Sequence, residues 1–535
     1  MSLTEREATQ ISAYFTNTDR PVFALTNLPE TVKGALFARY SRSPKSLRRL
    51  FLDEFYDAVG AADDAGAAGG SGAVKAERAD KLYQRVFNDY GDDSVAQLGG
   101  VHLAVEDASN ILTKVLERGR LMAYLEQSTR YIPYTERRGD RWRYLVPGEL
   151  DGHPVREQYV QTLNAAFEIY AKWIPVMQEW FASRHPKSAS DSDAVYRAAI
   201  RAKALDTLRG MLPAATQSSV GMFGTGQAYE TLLLRMRAHP LAEVRATADS
   251  MLEELRKVIP AFLTRVDQPD RGGRWSAYLE DSRKRTVELA ARLTAEASGA
   301  PADEVSLTDF DPDGEVKVVA AALYAASAVS DRDAMATARG LTAADRESVL
   351  RAYVGDRTNR RHKPGRAFER TGYRFDILTD YGAFRDLQRH RLMTIDWQVL
   401  SPRHGYVQPE AFVEAGGDRD WCEVMDRSAD LYDALAGAGF ADAAQYAVAM
   451  AYRVRFVMDM NAREAMHVIE LRTAPQGHPA YRRVCPRMHT LISEVAGHHA
   501  IAGAMQFADH SQVELERLQE ERRIEQKRER SRAGQ

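Results

Sequence analysis

Two stretches of this chain carry residue types dense enough for chemistry. Arg118 to Tyr134 reads RGRLMAYLEQSTRYIPY and supplies Arg118, Arg120 and Arg130, the run Glu126-Gln127-Ser128 and three tyrosines. A guanidinium is a fixed fork of donors that matches phosphate or carboxylate, while Glu, Gln and Ser can read the edge of a ring. The combination suits an anionic, planar ligand such as a nucleotide. The competing reading is an amphipathic helix running into a strand with a solvated basic edge, because charged runs are usually exposed. A second stretch, Arg389 to Tyr406, reads RHRLMTIDWQVLSPRHGY. It repeats the opening Arg-x-Arg-Leu-Met and then supplies Gln398, Ser401 and Arg403. Two related copies in one chain argue for duplication.

The elements that must position these stretches can be read from periodicity. Residues 35–55 are helical on either side of a break at Ser43-Pro44. Residues 60–74 read as a flexible Gly/Ala/Ser/Asp loop, 81–90 as a helix and 90–94 as a turn. Val95–Glu117 is mostly apolar, with helical spacing from about Asp107, and delivers Arg118 and Arg120 at a helix end, where carbonyls favour cations. Long helical patterns follow over 150–182 and 190–212, closed by Leu212-Pro213, and again over 229–237 and 241–262. Residues 266–275 are linker-like, and then a second pass begins. Ala322 parallels Ala35, Arg391 parallels Arg120, and Arg472 parallels Arg235, with Arg482 and Arg245 each ten residues later. The offset shrinks along the chain from 287 to 271 to 237, so the first copy carries the longer insertions.

A chain of 535 residues is too long for one ordinary core. Its net charge of −3 gives no global attraction to nucleic acid, so any basic site must be local. Two cysteines, Cys422 and Cys485, exclude a disulfide framework and a four-cysteine zinc site. No apolar run reaches about 18 residues and no signal-peptide pattern opens the chain. The expectation is a cytoplasmic protein with no membrane and no nucleic-acid partner.

The spaced motifs resemble those of the flavin-dependent thymidylate synthases. That family shares an Arg-His-Arg-x-x-Ser segment continuing into Glu-Gln-Ser-x-Arg-Tyr, then an Asn-x-Arg helix, a Leu-Arg pair and a second arginine ten residues on. This chain looks like two tandem copies of the unit, covering most of both halves. The resemblance implies an α/β or α+β fold, helix-rich, with the two units packed as a pseudo-dimer: residues 1–265 and 276–510, followed by a charged tail over 511–535. It also implies FAD as cofactor, NADPH and methylenetetrahydrofolate as co-substrates, and reductive methylation of the small-molecule substrate dUMP to dTMP. Two chains would form a homodimer that mimics the family tetramer.

The copies depart from the family pattern in complementary ways. The first keeps Glu126, Gln127, Ser128, Arg130 and Tyr131, and keeps Arg118 and Arg120, but has Gly119 in the histidine position and Ala123 in the serine position. Ser218 and Gly224 stand where the family has a phosphate-binding arginine and an asparagine. The second copy keeps Arg389, His390 and Arg391, with Arg455 six residues before Asn461 and with Arg482, but has Trp397 and Val399 in place of Glu and Ser. The resemblance therefore implies a composite substrate site of Glu126, Gln127, Ser128 and Arg130 with Arg455 and Arg482. Cofactor contacts would come from Arg118, Arg120, Arg389, His390, Arg391 and Asn461, and catalytic roles would fall to Arg482 and Ser128. Its arginines would clamp phosphate and stabilise charge developing on the pyrimidine ring. The remaining pseudo-site, with Trp397 and Ser218, would be dead or bind something else. The family histidine after Ser-x-x-Glu is missing from both matching segments, Ser94–Leu98 and Arg366–Arg370. A catalytically inactive nucleotide- or flavin-binding paralogue, or a flavoenzyme acting on another pyrimidine nucleotide, fits the same motifs.

Other signals read as structure. His498-His499 lack a carboxylate or cysteine at ligand spacing, and Glu464 with His467 makes a single metal half-site, so no metal is expected. Gly221, Gly224 and Gly226 lack dinucleotide-motif spacing and read as a loop. Arg137, Arg138, Arg141 and Arg143 read as a solvated strand pair.

Overall fold

The computed structural model describes residues 3–41, 43–60, 97–128, 131–189, 191–296, 303–475 and 477–511. The loop, helix and turn expected over 60–94 fall almost entirely outside these residues, as do Arg130 and the tail beyond Ser511. The protein is helix-rich α+β with small antiparallel sheets. Among the described residues no helix is long and apolar enough to cross a membrane.

The chain folds into two compact units, each assembled from separate stretches of sequence. The first comprises Met1–Glu106, Gly119–Glu126 and Ser219–Ala297, and the second Asp107–Arg118, Gln127–Ser218 and Ser298–Gln535.

The first unit is built on strands β1 (Gly100–Ser109), β2 (Met122–Glu126) and β5 (Gln217–Thr225), in the order β1-β5-β2. β2 and β5 run antiparallel with Met122 opposite Gly224 and Glu126 opposite Val220. The glycines read as a loop therefore lie in and just after a strand. Close packing selects two of them: a Cβ at Gly224 would lie 2.6 Å from the Met122 side chain, and one at Gly226 would lie 2.7 Å from Phe262. Behind the sheet the helix Gly226–Arg237, capped by the Thr225 hydroxyl, buries Tyr229, Leu232 and Leu233, and the Tyr229 hydroxyl donates to the Val101 carbonyl at 3.0 Å.

The second unit holds the short hairpin β3 (Arg137–Arg138) and β4 (Arg141–Trp142), as the arginine pattern predicts. It also holds a four-stranded sheet of β6 (Val305–Phe310), β7 (Gly372–Asp380), β8 (Thr394–Trp397) and β9 (Arg453–Asn461), in the order β6-β7-β9-β8. Tyr373, Phe375 and Ile377 of β7 and Val454, Phe456 and Met458 of β9 alternate into the core, the period-2 signature of a half-buried sheet. Matching segments of the two copies pair inside this unit. Pro213 bridges Ala449, and the Ala214 amide donates to the Val448 carbonyl at 2.8 Å.

Both copies use one supersecondary device. A strand ends in a capping residue, Ser109 or Asp380, whose side chain accepts from the third residue of a helix of about two turns, Asn110–Leu116 or Tyr381–Leu387. The Arg-x-Arg pair follows, and a short strand, β2 or β8, leaves it. The helix expected from about Asp107 begins at Asn110, after the strand over 100–109, whose last residue Ser109 caps it.

Candidate functional site

The second-copy site starts from helix periodicity. Asn461 caps the helix Ala462–Arg472 by accepting from the Glu464 amide at 2.9 Å, and this helix carries Glu464, His467 and Arg472 toward His390. His390 lies just past the helix Tyr381–Leu387 and is buried, as is Glu464. Arg472 Nε donates to His390 Nε2 at 2.9 Å. That bond takes the Nε2 lone pair, so the ring proton of the neutral imidazole sits on Nδ1, 3.6 Å from Glu464 Oε1. Burial pushes the His390 imidazole well below its ordinary range, with Arg472 and Lys363 adding to the effect. Burial also takes His467 down to about 4 and raises the Glu464 carboxyl. Both imidazoles are therefore neutral near pH 7.

The ligand atoms of His390, Glu464 and His467 lie within 4.8 Å of one another, a spacing a divalent ion could use. The donor set argues otherwise. A ligating imidazole gives its second nitrogen to an acceptor, whereas His390 meets an arginine donor. Lys363, Arg360 and Arg463 add positive charge to the same vault. The trio fits a hydrogen-bonded anchor better than a cation cage.

Around it, Arg389 lies 3.2 Å from Asp386 and Arg391 is exposed. Arg455, a quarter exposed on β9, pairs with Asp376 of β7 at 2.9 Å. Arg482 is differently placed: it donates to the carbonyls of Thr473 (3.2 Å), Pro475 (3.4 Å) and Ser511 (2.8 Å) and lies 3.8 Å from Asp509. Its guanidinium thus closes the end of the helix Ala462–Arg472 and ties residues 509–511 to it.

The first-copy motif is divided. Glu126 ends β2 and is buried. Gln127 is pinned twice, its side-chain oxygen accepting from Arg143 at 3.2 Å and its carbonyl from the Ser218 hydroxyl at 3.2 Å. Ser218, in the position of the family's arginine, therefore orders the backbone of the Glu-Gln-Ser run. Ser128 is half-buried, and Arg130 lies outside the described residues. Gly119 has a steric cause, since a Cβ there would meet the Tyr124 hydroxyl at 2.5 Å, and that hydroxyl donates to the Gly119 carbonyl at 3.2 Å. Tyr124 holds the space that an imidazole would need. Arg120 is exposed. Arg118 pairs with Asp396 at 2.7 Å and lies over the Trp397 ring at 5.1 Å, so the altered second-copy segment is met by an arginine of the first.

Sequence reasoning missed Arg472 as the partner of His390, although the repeated Leu-Arg pair marked it. It also set Glu464-x-x-His467 aside as half a site. The third member, His390, lies 74 residues before Glu464, a distance no local spacing can bridge.

The chain combines two α+β segments, each with an Arg-x-Arg after a strand–helix corner, and a Glu-Gln-Ser run in one of them. The chain belongs to the thymidylate synthase complementing protein family, whose profile matches residues 44–261 and 306–497. It is 36% identical to a UPF0159 protein of Chlamydia muridarum over 516 residues, covering 96% of this chain and 97% of that one. It is 25% identical to a flavin-dependent thymidylate synthase of Clostridium tetani over 187 residues, covering 34% of this chain and 69% of that one. A crystal structure of a UMP/dUMP methylase from Streptomyces cacaoi bound with 5-Br dUMP aligns at 18% identity and a TM-score of 0.30, over 37% of this chain and 94% of that one, too weak a likeness to assign anything here.

Proposed function

We propose that the protein is a flavin-dependent thymidylate synthase-like enzyme that methylates dUMP reductively to dTMP. The observation that carries this reading is the two-segment family match together with the complementary motifs, Glu126-Gln127-Ser128 in one copy and Arg389-His390-Arg391 in the other. In this reading Arg130 and Arg455 clamp the phosphate and the Glu-Gln-Ser run reads the pyrimidine edge. FAD, when bound, relays hydride from NADPH while methylenetetrahydrofolate supplies the one-carbon unit. The fit for a flavin rests on Arg389 and Arg391, which flank His390; that buried ring, with Arg472 at one nitrogen and Glu464 facing the other, would position this corner rather than bond the flavin itself. Asn461 would contribute only its amide nitrogen, because its side-chain oxygen caps a helix. Two chains assembling as a homodimer would present four units.

The test is dUMP binding followed by calorimetry. Arg130→Ala and Arg455→Ala are each expected to abolish it; binding that survives both variants sinks the composite site. Complementation of a thymidine-requiring strain then tests the reaction itself.

One observation favours a second reading, a nucleotide- or flavin-binding protein without the methyl transfer. Arg482, assigned a catalytic role by resemblance, spends its donors on three backbone carbonyls. A purified protein that is yellow, with flavin absorbance bleached by NADPH, favours the enzyme; a protein that holds flavin but is not bleached favours the second reading.

A further inference from the structure

We propose that the loop Arg357–Lys363 is a binding site for ligands that carry two adjacent phosphate groups. The loop reads RTNRRHK, four residues before Ala367 of the short turn that precedes β7. Its shape is set by Arg357, which is buried and forms a bidentate pair with Glu470 at 2.6 and 2.7 Å. The same guanidinium accepts no proton but donates to the carbonyls of Ala504, Arg360 and His362. The loop carbonyls thus turn inward on a buried cation, and Asn359 closes the turn by accepting from the Arg361 amide at 2.9 Å.

What this leaves outside is three cations in four residues. Among the described residues the side chains of Arg360, Arg361 and Lys363 form no hydrogen bond or close ion pair, and Lys363 is attracted by Glu464 and Glu470 only from beyond ion-pair distance. Their neighbours are all paired: Arg351 with Glu347, Arg366 and Arg463 with Glu369, and Arg370 with Asp331. Asp356, at the start of the loop, pairs with none of the three. A solvated basic face normally interleaves its acids; here Glu347, Glu369 and Asp331 are spent on the flanking arginines. Partial burial holds the Lys363 ammonium below its usual range, with Arg463 and Arg360 adding to the effect against the attraction of Glu464 and Glu470; Arg360, Arg361 and Lys363 lie within four residues of a loop that Arg357 fixes. A multiply charged anion relieves that repulsion, and guanidinium forks fit adjacent phosphates. A long nucleic-acid track would need cations spread over a surface with interleaved aromatics, and this loop has neither.

The site does not depend on which base the Glu-Gln-Ser run reads, so a probe without a base separates the two. Titration of the full chain with inorganic pyrophosphate is expected to give saturable binding that weakens with salt. The variant Arg360→Ala/Arg361→Ala/Lys363→Ala is expected to weaken it by about tenfold or more, the loss of several charge-assisted bonds, with an unchanged melting temperature. ADP losing affinity in parallel supports the same site for a nucleoside diphosphate. Should the triple variant fail to fold, Lys363→Gln alone is expected to give a smaller loss in the same direction. Unchanged pyrophosphate affinity in the variants, no binding to the wild type, orthophosphate binding as tightly as pyrophosphate, or affinity for single-stranded oligonucleotides that grows with their length overturns the proposal.

Discussion

The Tyr381 hydroxyl donates to the main-chain carbonyl of Asn110 at 3.0 Å, and the two residues hold the same place in their copies. Asn110 precedes Arg118 by eight residues, and Tyr381 precedes Arg389 by eight. Gln388 reinforces the junction by donating to the Lys114 carbonyl at 3.2 Å. The helices that end in the two Arg-x-Arg pairs are therefore fastened to one another, like element to like. Tyr381→Phe keeps the ring and removes only the donor to a buried carbonyl. It is expected to cost about 1 kcal/mol, on the order of one net hydrogen bond plus the stranded acceptor, read as a shift in the unfolding midpoint in urea. An unchanged midpoint would mean that the bond adds nothing at this junction.

Lys114 and Glu117 form an ion pair at 2.5 Å in which both side chains are almost wholly buried. Removing one member leaves the other charge in a medium that cannot solvate it. Lys114→Met is expected to destabilise the protein by about 3–5 kcal/mol, whereas Lys114→Met/Glu117→Leu costs clearly less, because a buried pair replaced by apolar residues is often near neutral. Denaturant melts of the single and double variants check this; additive losses would refute the coupling.

Asp376 competes for Arg455, the arginine assigned to the nucleotide phosphate. Asp376→Asn keeps the shape and removes the competing charge. Affinity for dUMP is expected to rise by up to about fivefold, the equivalent of the roughly 1 kcal/mol that such a partly exposed pair is worth at most. Calorimetry decides between this and a fall in affinity, which would mean that Asp376 orients the guanidinium rather than competing for it.

The buried His390 and half-buried His467 imidazoles make stability fall on the acid side. His467 has a folded value near 4 against an ordinary 6.5. Above about 6.5 neither the folded nor the unfolded chain protonates it, so it contributes no pH dependence there. Between 6.5 and about 4 only the unfolded chain takes up the proton, and stability falls by about 1.4 kcal/mol per pH unit for each such group. His390 acts in the same direction. Glu464, raised, opposes them only where its own carboxyl begins to titrate. His467→Gln is expected to flatten the slope of unfolding free energy between pH 6.5 and 5.5 by about one proton; equal slopes in wild type and variant would argue that His467 is not buried as a neutral ring.

The parts of the site that were legible in the sequence were the local ones. Arg118-Gly119-Arg120 and Arg389-His390-Arg391 could be aligned as copies because each sits on a short run whose residues act together. The strand pair through Arg138 and Arg141 was legible for the same reason. Tertiary neighbours were not legible. Gly221 and Gly224 looked like a loop because glycine weakens a strand, yet at Gly224 Met122 of the adjacent strand and Tyr229 behind the sheet fill the space that a Cβ would need. Likewise nothing near His390 announces Arg472, and nothing near Arg482 announces that its partners are carbonyls at the end of one helix and at Ser511. An arginine's type survives in sequence; the question of whether its donors are already spent is answered only by packing.

Arg482 carries a practical consequence for anyone handling this chain. Its shortest bond is to the carbonyl of Ser511, and the Asp509 amide donates to the Thr473 hydroxyl at 3.0 Å. A shortened version made to discard the charged tail must therefore be cut after Ser511. A cut before Asp509 would open a buried helix end and release an arginine into it, and the resulting loss of activity would be mistaken for a catalytic role of the tail.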